Sequence, residues 1–338
     1  MIAIGWNFMK LSRTLIFSAI LLLPVFTFAQ KIVWPQPPEK ARIEFIKSVT
    51  KAEDLEIKKG FFKKFLEFFA GSEEKVLVKP FGIHVDGDKI FVTDVAEATL
   101  FIFDTASNDF KVIEGFKKEK FLYPVDVATD DLGFIYVTDS MRKSVYIFNK
   151  NGVALKKISE ENGLKRPTGI AVDKKRKIFY VCDTLSSKIL KYSLNGKMVA
   201  TIGAPGSGNG ELNRPTFITL DENGSLYVTD SMNFRVNIYD KDGKFKKSFG
   251  QLGNSIGNFA SPRGIAVDKY GHIYVTDTLF NAVQIFDKKG NLLLVFGSEG
   301  RGNGEFYTPM DISISNDGRI FITDSYNMRV EIFKILNY

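Results

Sequence analysis

The stretch Leu226–Gly250, LYVTDSMNFRVNIYDKDGKFKKSFG, returns with few changes at Ile273–Gly297, IYVTDTLFNAVQIFDKKGNLLLVFG. Two passages this alike in one chain call for a search for further copies. Aligned on the Asp that ends each YVTD-like run, six copies emerge at Asp94, Asp139, Asp183, Asp230, Asp277 and Asp324, spaced by 45, 44, 47, 47 and 47 residues. A Pro precedes each Asp by 14 to 16 positions, at Pro80, Pro124, Pro167, Pro215, Pro262 and Pro309. Two markers that keep one period through six units identify a true internal repeat.

Each unit reads as four short strands. In the fifth, GIAVD is followed by the turn KYGH, then IYVTD, the loop TLFN, AVQIFD, the turn KKG and NLLLVFG. Val, Ile, Phe and Tyr fill the strands, and Gly, Asn and Asp fill the breaks. Asn-Gly in FNKNGV and SLNGK, and Asp-Gly in YDKDGK, predict two-residue hairpin turns. Runs such as IYVT show little alternation, so burial on both faces is expected. A four-stranded sheet with two apolar faces is not stable alone. Packing the sheets radially, each wedged between two neighbours, covers every face.

The order Pro-x-Gly-Ile-Ala-Val-Asp, then Ile-Tyr-Val-Thr-Asp-Ser, then Asn-x-Arg-Val-x-Ile-Phe, then Phe-Gly resembles the NHL repeat family of β-propellers, over roughly residues 77–338. The first copy departs from the pattern with Val95 where others carry Ser or Thr, and the second with Asp126 in place of Gly. Six copies imply an all-β, six-bladed β-propeller of four-stranded antiparallel blades. The sixth copy ends at Tyr338 without an outer strand, while RIEFIKSV, Arg42–Val49, resembles the outer strand KFKKSFG. An amino-terminal strand is therefore expected to close the last blade and spare the ring an open edge.

The domain reading follows. Residues 1–29 read as an export signal: Lys10 and Arg13 precede an apolar run from Leu15 to Phe28, with Thr27-Phe28-Ala29 before Gln30. Translation starts at Met1 or Met9, and the segment is either cleaved or kept as an anchor. Export predicts a periplasmic or extracellular protein. Residues 30–76 hold the clasp strand and the segment IKKGFFKKFLEFFAG, in which Phe61, Phe62, Phe65, Leu66, Phe68 and Phe69 crowd one face of a helix opposite Lys58, Lys59, Lys63 and Lys64. Such a helix either caps the propeller or touches a membrane surface through residues 58–69. Residues 77–338 form the propeller.

Composition narrows the partners. Of 338 residues 44% are apolar, and the 46 Lys and Arg exceed the 39 Asp and Glu by seven. The excess is thinly spread and forms no basic stripe, so nucleic acid is not expected. A single cysteine excludes an intramolecular disulfide. Cys182 stands where sister repeats carry Thr, inside FYVCD, and reads as a small buried residue rather than a nucleophile. A monomer is expected.

The motifs that suggest chemistry mostly reduce to architecture. GAPGSGNGEL, GQLGNSIGNF and GSEGRGNGEF fall at one repeat position and lack the strand–loop–Lys–helix order of a nucleotide site, so they read as inter-blade crossovers. DENG, DKDG and SNDG are too short for calcium loops. The Thr-Asp-Ser/Thr triplets recur from blade to blade. His84 and His272 are the only histidines and occupy different repeat positions, which excludes a Ser-His-Asp reading and the three-His zinc site of the similar peptidylglycine amidating lyase. Asp126 and Asp311 replace the Gly after Pro-x and are the candidates for a divalent cation in the channel, although blade one separates their blades. No other cofactor is expected.

A ring of side chains gives the stronger functional signal. Two places past each marker Asp stand Ala96, Met141, Leu185, Met232, Leu279 and Tyr326, with Phe234, Phe280, Arg142, Arg235 and Arg329 close by. Nearer the axis on the same face come Phe81, Thr168, Phe217, Arg263 and Met310. Loops have no evident need for so many large apolar groups, so the expected function is a non-enzymatic scaffold that binds a protein, a peptide or an envelope component on this face. The alternative is a metal-dependent hydrolase or lyase with a cation at the channel mouth.

Overall fold

The computed structural model describes residues 31–57 and 75–336. The export signal and the amphipathic segment 58–69 lie outside the described residues. Among those described, six antiparallel sheets follow the six repeats. Blade three is typical: Pro167–Asp173 lines the axis, and Ile178–Asp183, Lys188–Ser193 and Met198–Ile202 follow outward. Among the described residues helical structure is limited to three short 3-10 turns. The innermost strands contact one another in repeat order, and Pro309–Ile314 of blade six returns to Pro80–Asp86 of blade one, so the ring is closed.

The recurring triplet is what joins the blades. In blades one, two, five and six its Thr hydroxyl accepts the backbone N–H two places past the Pro and donates to a carbonyl of the next blade, whereas Thr229 of blade four donates to Phe217 O within its own blade. Thr93 Oγ1 takes Gly82 N–H at 2.8 Å and donates to Val125 O at 3.0 Å. Thr138 and Thr276 donate in the same way to Thr168 O at 2.6 Å and Met310 O at 3.0 Å. Thr323 donates to Phe81 O at 2.7 Å, from blade six to blade one. The third residue adds a parallel link, with Ser140, Thr184 and Ser231 donating to Pro167, Pro215 and Pro262 carbonyls. Cys182 replaces the Thr in blade three and is fully buried, and burial pushes its thiol well above the usual range.

The central Asp of the triplet clamps backbone. Asp277 accepts from Ala260 and Ser261, just before the inner-strand Pro, and from Leu279 and Phe280 in the loop after its own strand. Asp94 does the same with Val78, Lys79, Ala96 and Glu97, and Asp139 with Leu122, Tyr123, Met141 and Arg142. All six marker carboxylates have no exposed surface.

Apolar packing lies between the blades. Six buried clusters correspond to the six seams, each drawing on two adjacent blades; Tyr136, Val145 and Ile147 of blade two, for instance, meet Phe179, Val181 and Tyr192 of blade three. Each fully buried aromatic or aliphatic side chain contributes about 1.5–3 kcal/mol.

Two local expectations change. The hairpin turns are four-residue type I turns with Gly at positive φ and a bulge, not two-residue turns: in DKDGK, Gly243 has φ 86°, and Asp240 Oδ1 accepts from Asp242 and Lys244. The preceding Asp side chain organises the turn, so only the Gly needs positive φ. Blade six gains two amino-terminal strands rather than one. Ile43–Val49 pairs with Arg329–Ile335, and Val33–Trp34 adds a fifth strand outside it. Trp34 packs edge-on to Phe333 at 5.8 Å.

The clasp feeds two seams, with Ile43 in that between blades five and six, and Val49, Ala52 and Ile57 in that between six and one. Deleting residues 30–50 therefore opens both and leaves the edge Arg329–Ile335 unpaired. Calorimetry should show a melting temperature lower by more than about 10 °C, the shift for a loss of several kcal/mol in a chain of this size. An unchanged transition would contradict the role of the clasp.

Candidate functional site: a two-chambered axial channel

The residue two places past each inner-strand Pro alternates around the axis: Gly82, Asp126, Gly169, Phe217, Gly264, Asp311. Each Gly accepts the close approach of the larger residue in the next blade. A Cβ at Gly82 would stand 2.7 Å from Asp126 Cα, at Gly169 2.6 Å from Phe217 Cα, and at Gly264 2.5 Å from Asp311 Cα. Phe217 reaches across the axis from blade four and stacks on Phe81 of blade one at 6.2 Å. It lines the cavities on both sides and so divides the channel in two.

The chamber on the loop-and-crossover face is a funnel of about 460 Å³. Phe81, Phe217, Phe234, Met232, Leu279 and Met310 supply its apolar wall. Arg166, Arg214 and Arg263 enter it from blades three, four and five, and no acidic residue lines it. Thr168, Thr184, Thr216 and Ser231 form a hydroxyl shelf, with Thr168 Oγ1 2.8 Å from Thr184 Oγ1 and Thr216 Oγ1 2.6 Å from Ser231 Oγ. Arg263 is partly buried, and burial lowers its guanidinium pKa, with the nearby Asp277 acting the other way.

The opposite chamber, about 230 Å³, is polar. Asp126 and Asp311 are buried and close enough to interact, contrary to the separation expected from blade order. Burial pushes Asp126 up to about 7, although Ile170 and Val127 donate backbone N–H groups at 2.8 and 2.7 Å. Burial and then the Asp126 charge push Asp311 well above the carboxylate range, against the N–H of Ile83 at 2.8 Å. Both carboxyls therefore bind a proton more readily than an exposed Asp does. Among the described residues no group of three His, Cys, Asp or Glu converges as a metal site.

At the rim of this chamber His84 Nε2 lies 2.9 Å from Thr129 Oγ1, which donates to Asp86 Oδ2 at 2.7 Å. Since the Thr129 proton goes to Asp86, His84 is the donor to Thr129. Burial pulls His84 down to about 4, so the ring is neutral at physiological pH. Burial works against Asp86 ionisation, but Thr129 and Lys174 Nζ, at 2.9 Å, hold its pKa below the usual value. His272 instead closes a hairpin turn, with Nδ1 2.8 Å from Asp268 Oδ2.

The expected binding face separates into three groups. Met141, Leu185, Met232, Leu279 and Tyr326 are 53–69% exposed around the funnel mouth. Phe217 is buried as the partition, while Phe234, Phe280 and Arg263 are partly buried. Arg235 and Arg329 do not belong to the face, which corrects the sequence reading. Arg235 binds Asp230 at 2.9 Å and the carbonyls of Ser207, Gly208 and Glu211; Arg329 binds Asp324 at 3.1 Å and the carbonyls of Arg301, Gly302 and Glu305. Both nail down glycine-rich crossovers. Arg142 is likewise tied back, to Lys120 O at 3.1 Å and Glu119 at 3.6 Å.

A closed ring of six blades around a divided channel defines a β-propeller. The chain is a six-bladed propeller of NHL-type repeats: a family model described as a 6-bladed beta-propeller matches residues 123–207 and 270–338, and the NHL repeat model matches 212–239. Solved structures share the fold at low identity. Virginiamycin B lyase from Staphylococcus aureus is 14% identical with a TM-score of 0.56, over 77% of this chain and 96% of that one. A luciferin-regenerating enzyme is 11% identical with a TM-score of 0.58, over 77% and 92%. An auxiliary nutrient binding protein from Bacteroides thetaiotaomicron is 12% identical with a TM-score of 0.60, over 76% and 69%. The expectation of a non-enzymatic protein is corrected here, because two of these neighbours are named enzymes and the fold itself gives no case against catalysis.

The Asp126–Asp311 pair has a thermodynamic signature. Asp126 binds its proton more tightly folded, at about 7, than unfolded, near 3.8, so its stabilisation is complete below about pH 4 and is lost as pH rises towards 7. Asp311 shifts in the same direction. The Asp126→Asn, Asp311→Asn double variant cannot titrate there. Its melting temperature should gain at least about 3 °C on the wild type between pH 5 and 8, the shift for about 1 kcal/mol in a chain of this size. Parallel profiles would contradict the raised carboxyl pKa values.

Proposed function

We propose that the funnel face binds a peptide or a segment of a partner protein. The observation that carries this reading is the set of Met141, Leu185, Met232, Leu279 and Tyr326, exposed at one repeat position, of which Met232 and Leu279 also line the apolar funnel. Side chains more than half exposed contribute little to the ring's own packing, whereas large apolar and aromatic groups around a concavity suit a partner's anchor residues. The funnel volume falls in the ordinary range of ligand sites, about 300–1,000 Å³. The resemblance to NHL domains, many of which bind proteins, supports the same reading.

A second reading rests on Asp126. A carboxyl group with a pKa near 7 in a polar chamber suits general acid–base chemistry, and would place a hydrolase or lyase reaction beside Asp311.

Selection of a displayed random-peptide library tests the first reading. Wild-type protein should enrich sequences that the Met141→Asp, Met232→Asp, Leu279→Asp variant binds at least tenfold more weakly. All three positions are exposed, so the variant should keep its fold. Enriched peptides that bind both proteins equally would remove this face.

A further inference from the structure

Arg263 is the one funnel arginine carried inward on an axial strand, at the position after Pro262. Its Nε is buried without a hydrogen-bond partner. The nearby Asp277 attracts it through space but takes no hydrogen bond from it; that carboxylate accepts from Ala260, Ser261, Leu279 and Phe280 instead. Arg235, by contrast, binds one carboxylate and three carbonyls, and Arg329 binds the two carboxylates of Asp324 and Glu331 and three carbonyls. A partly buried guanidinium whose Nε makes no hydrogen bond carries a desolvation cost that the through-space attraction of Asp277 does not fully offset, and an anion supplied from outside would lower that cost.

The surroundings define the anion. Arg166 and Arg214 add positive charge at the mouth, and no lining residue is acidic. The planar guanidinium fork fits the two oxygens of a carboxylate. Beside it stand Phe81, Phe217 and Met310, which offer apolar contact rather than further donors. A bare phosphate would leave that wall unused.

We propose that the funnel is a carboxylate site, with the acid group held by Arg263 and an apolar or aromatic body laid against Phe81, Phe217 and Met310. This rests on reading the funnel face as a binding site and adds the chemistry of what enters it. A peptide carboxyl terminus ending in an apolar residue and a free aromatic acid share that chemistry.

Isothermal titration at pH 7 in low salt, with N-acetylphenylalanine, 3-phenylpropanoate, the primary amide of each and inorganic phosphate, tests the proposal. At least one acid should bind, with its amide and phosphate at least tenfold weaker. Tighter N-acetylphenylalanine assigns a peptide terminus, and tighter 3-phenylpropanoate a free acid. Arg263→Gln should lose at least tenfold for the acid, and Arg214→Gln, at an exposed position, a smaller factor. Because no partner is left unpaired, Arg263→Gln should melt no lower than wild type; a fall of more than about 3 °C would make Arg263 a structural residue and overturn the proposal. Equal binding of acid and amide, equal binding by Arg263→Gln, phosphate binding as tight as the acid, or no binding of either acid would also overturn it. Failure of the acids while library peptides still bind sinks the carboxylate site alone; failure of both sinks the binding face as well.

Discussion

A buried carboxylate at the end of the second strand of every blade is the constraint on which the rest of the structure depends. It gathers the chain arriving from the previous blade and the loop leaving its own strand onto one pair of oxygens. In blade five those are the N–H groups of Ala260 and Ser261 on one side and Leu279 and Phe280 on the other. Hydrogen bonds to a charged acceptor are worth about 1.5–3 kcal/mol each, and an orphaned buried N–H costs about 1–3 kcal/mol. No apolar contact could replace that clamp, because the groups it satisfies are backbone. In blades four and six Asp230 and Asp324 keep a backbone N–H of the arriving chain and hold the loop through the side chains of Asn233, Arg235, Asn327 and Arg329, so the carboxylate still fixes where each inner strand begins.

Function is positioned by that repetition. The residue before each Pro, the residue after it, and the second residue past each Asp are delivered to one face of the ring. Variation from blade to blade at those places sets the lining: Arg166 and Arg214 precede their Pro, Arg263 follows its own, and Met232 and Leu279 stand two past their Asp. One step deeper, alternating Gly and large residues lets Phe217 cross the axis and separate a cationic, apolar funnel from a polar chamber that holds Asp126 and Asp311. Two environments of opposite character thus share one channel.

Much of this was legible in the sequence because a repeat reports on position. Six copies gave the blades, the missing outer strand gave the clasp Ile43–Val49, and recurrence in sister blades marked the Thr-Asp-Ser/Thr triplets as architecture. What was not legible depended on distances between blades. The sequence places Arg235 and Arg329 beside exposed Met232 and Tyr326, yet both turn inward, because glycine-rich crossovers present bare carbonyls that a guanidinium can satisfy. The shared Asn-x-Arg spacing after the marker Asp was the available signal. Asp126 and Asp311 belong to blades separated by a third, but the axis is narrow enough to bring them within electrostatic reach. That Arg263 Nε is buried without a hydrogen bond is invisible in the sequence, because it depends on how blade five packs against its neighbours. Trp34 gave no strand signal, since a two-residue edge is too short to show a period.

Amide hydrogen exchange on Asp183→Asn tests the clamp most directly. Asp183 accepts from Lys165 at 2.6 Å, and from Arg166 and Ser186 at 3.1 Å, and an amide offers only one oxygen for them. If the carboxylate organises the face, these amides should exchange at least tenfold faster in the variant while the turn amide of Gly196, bonded to Ser193 O, keeps its rate. Unchanged exchange at Lys165, Arg166 and Ser186 would mean that strand packing alone sets the loops, and the account of how the funnel is built would be wrong.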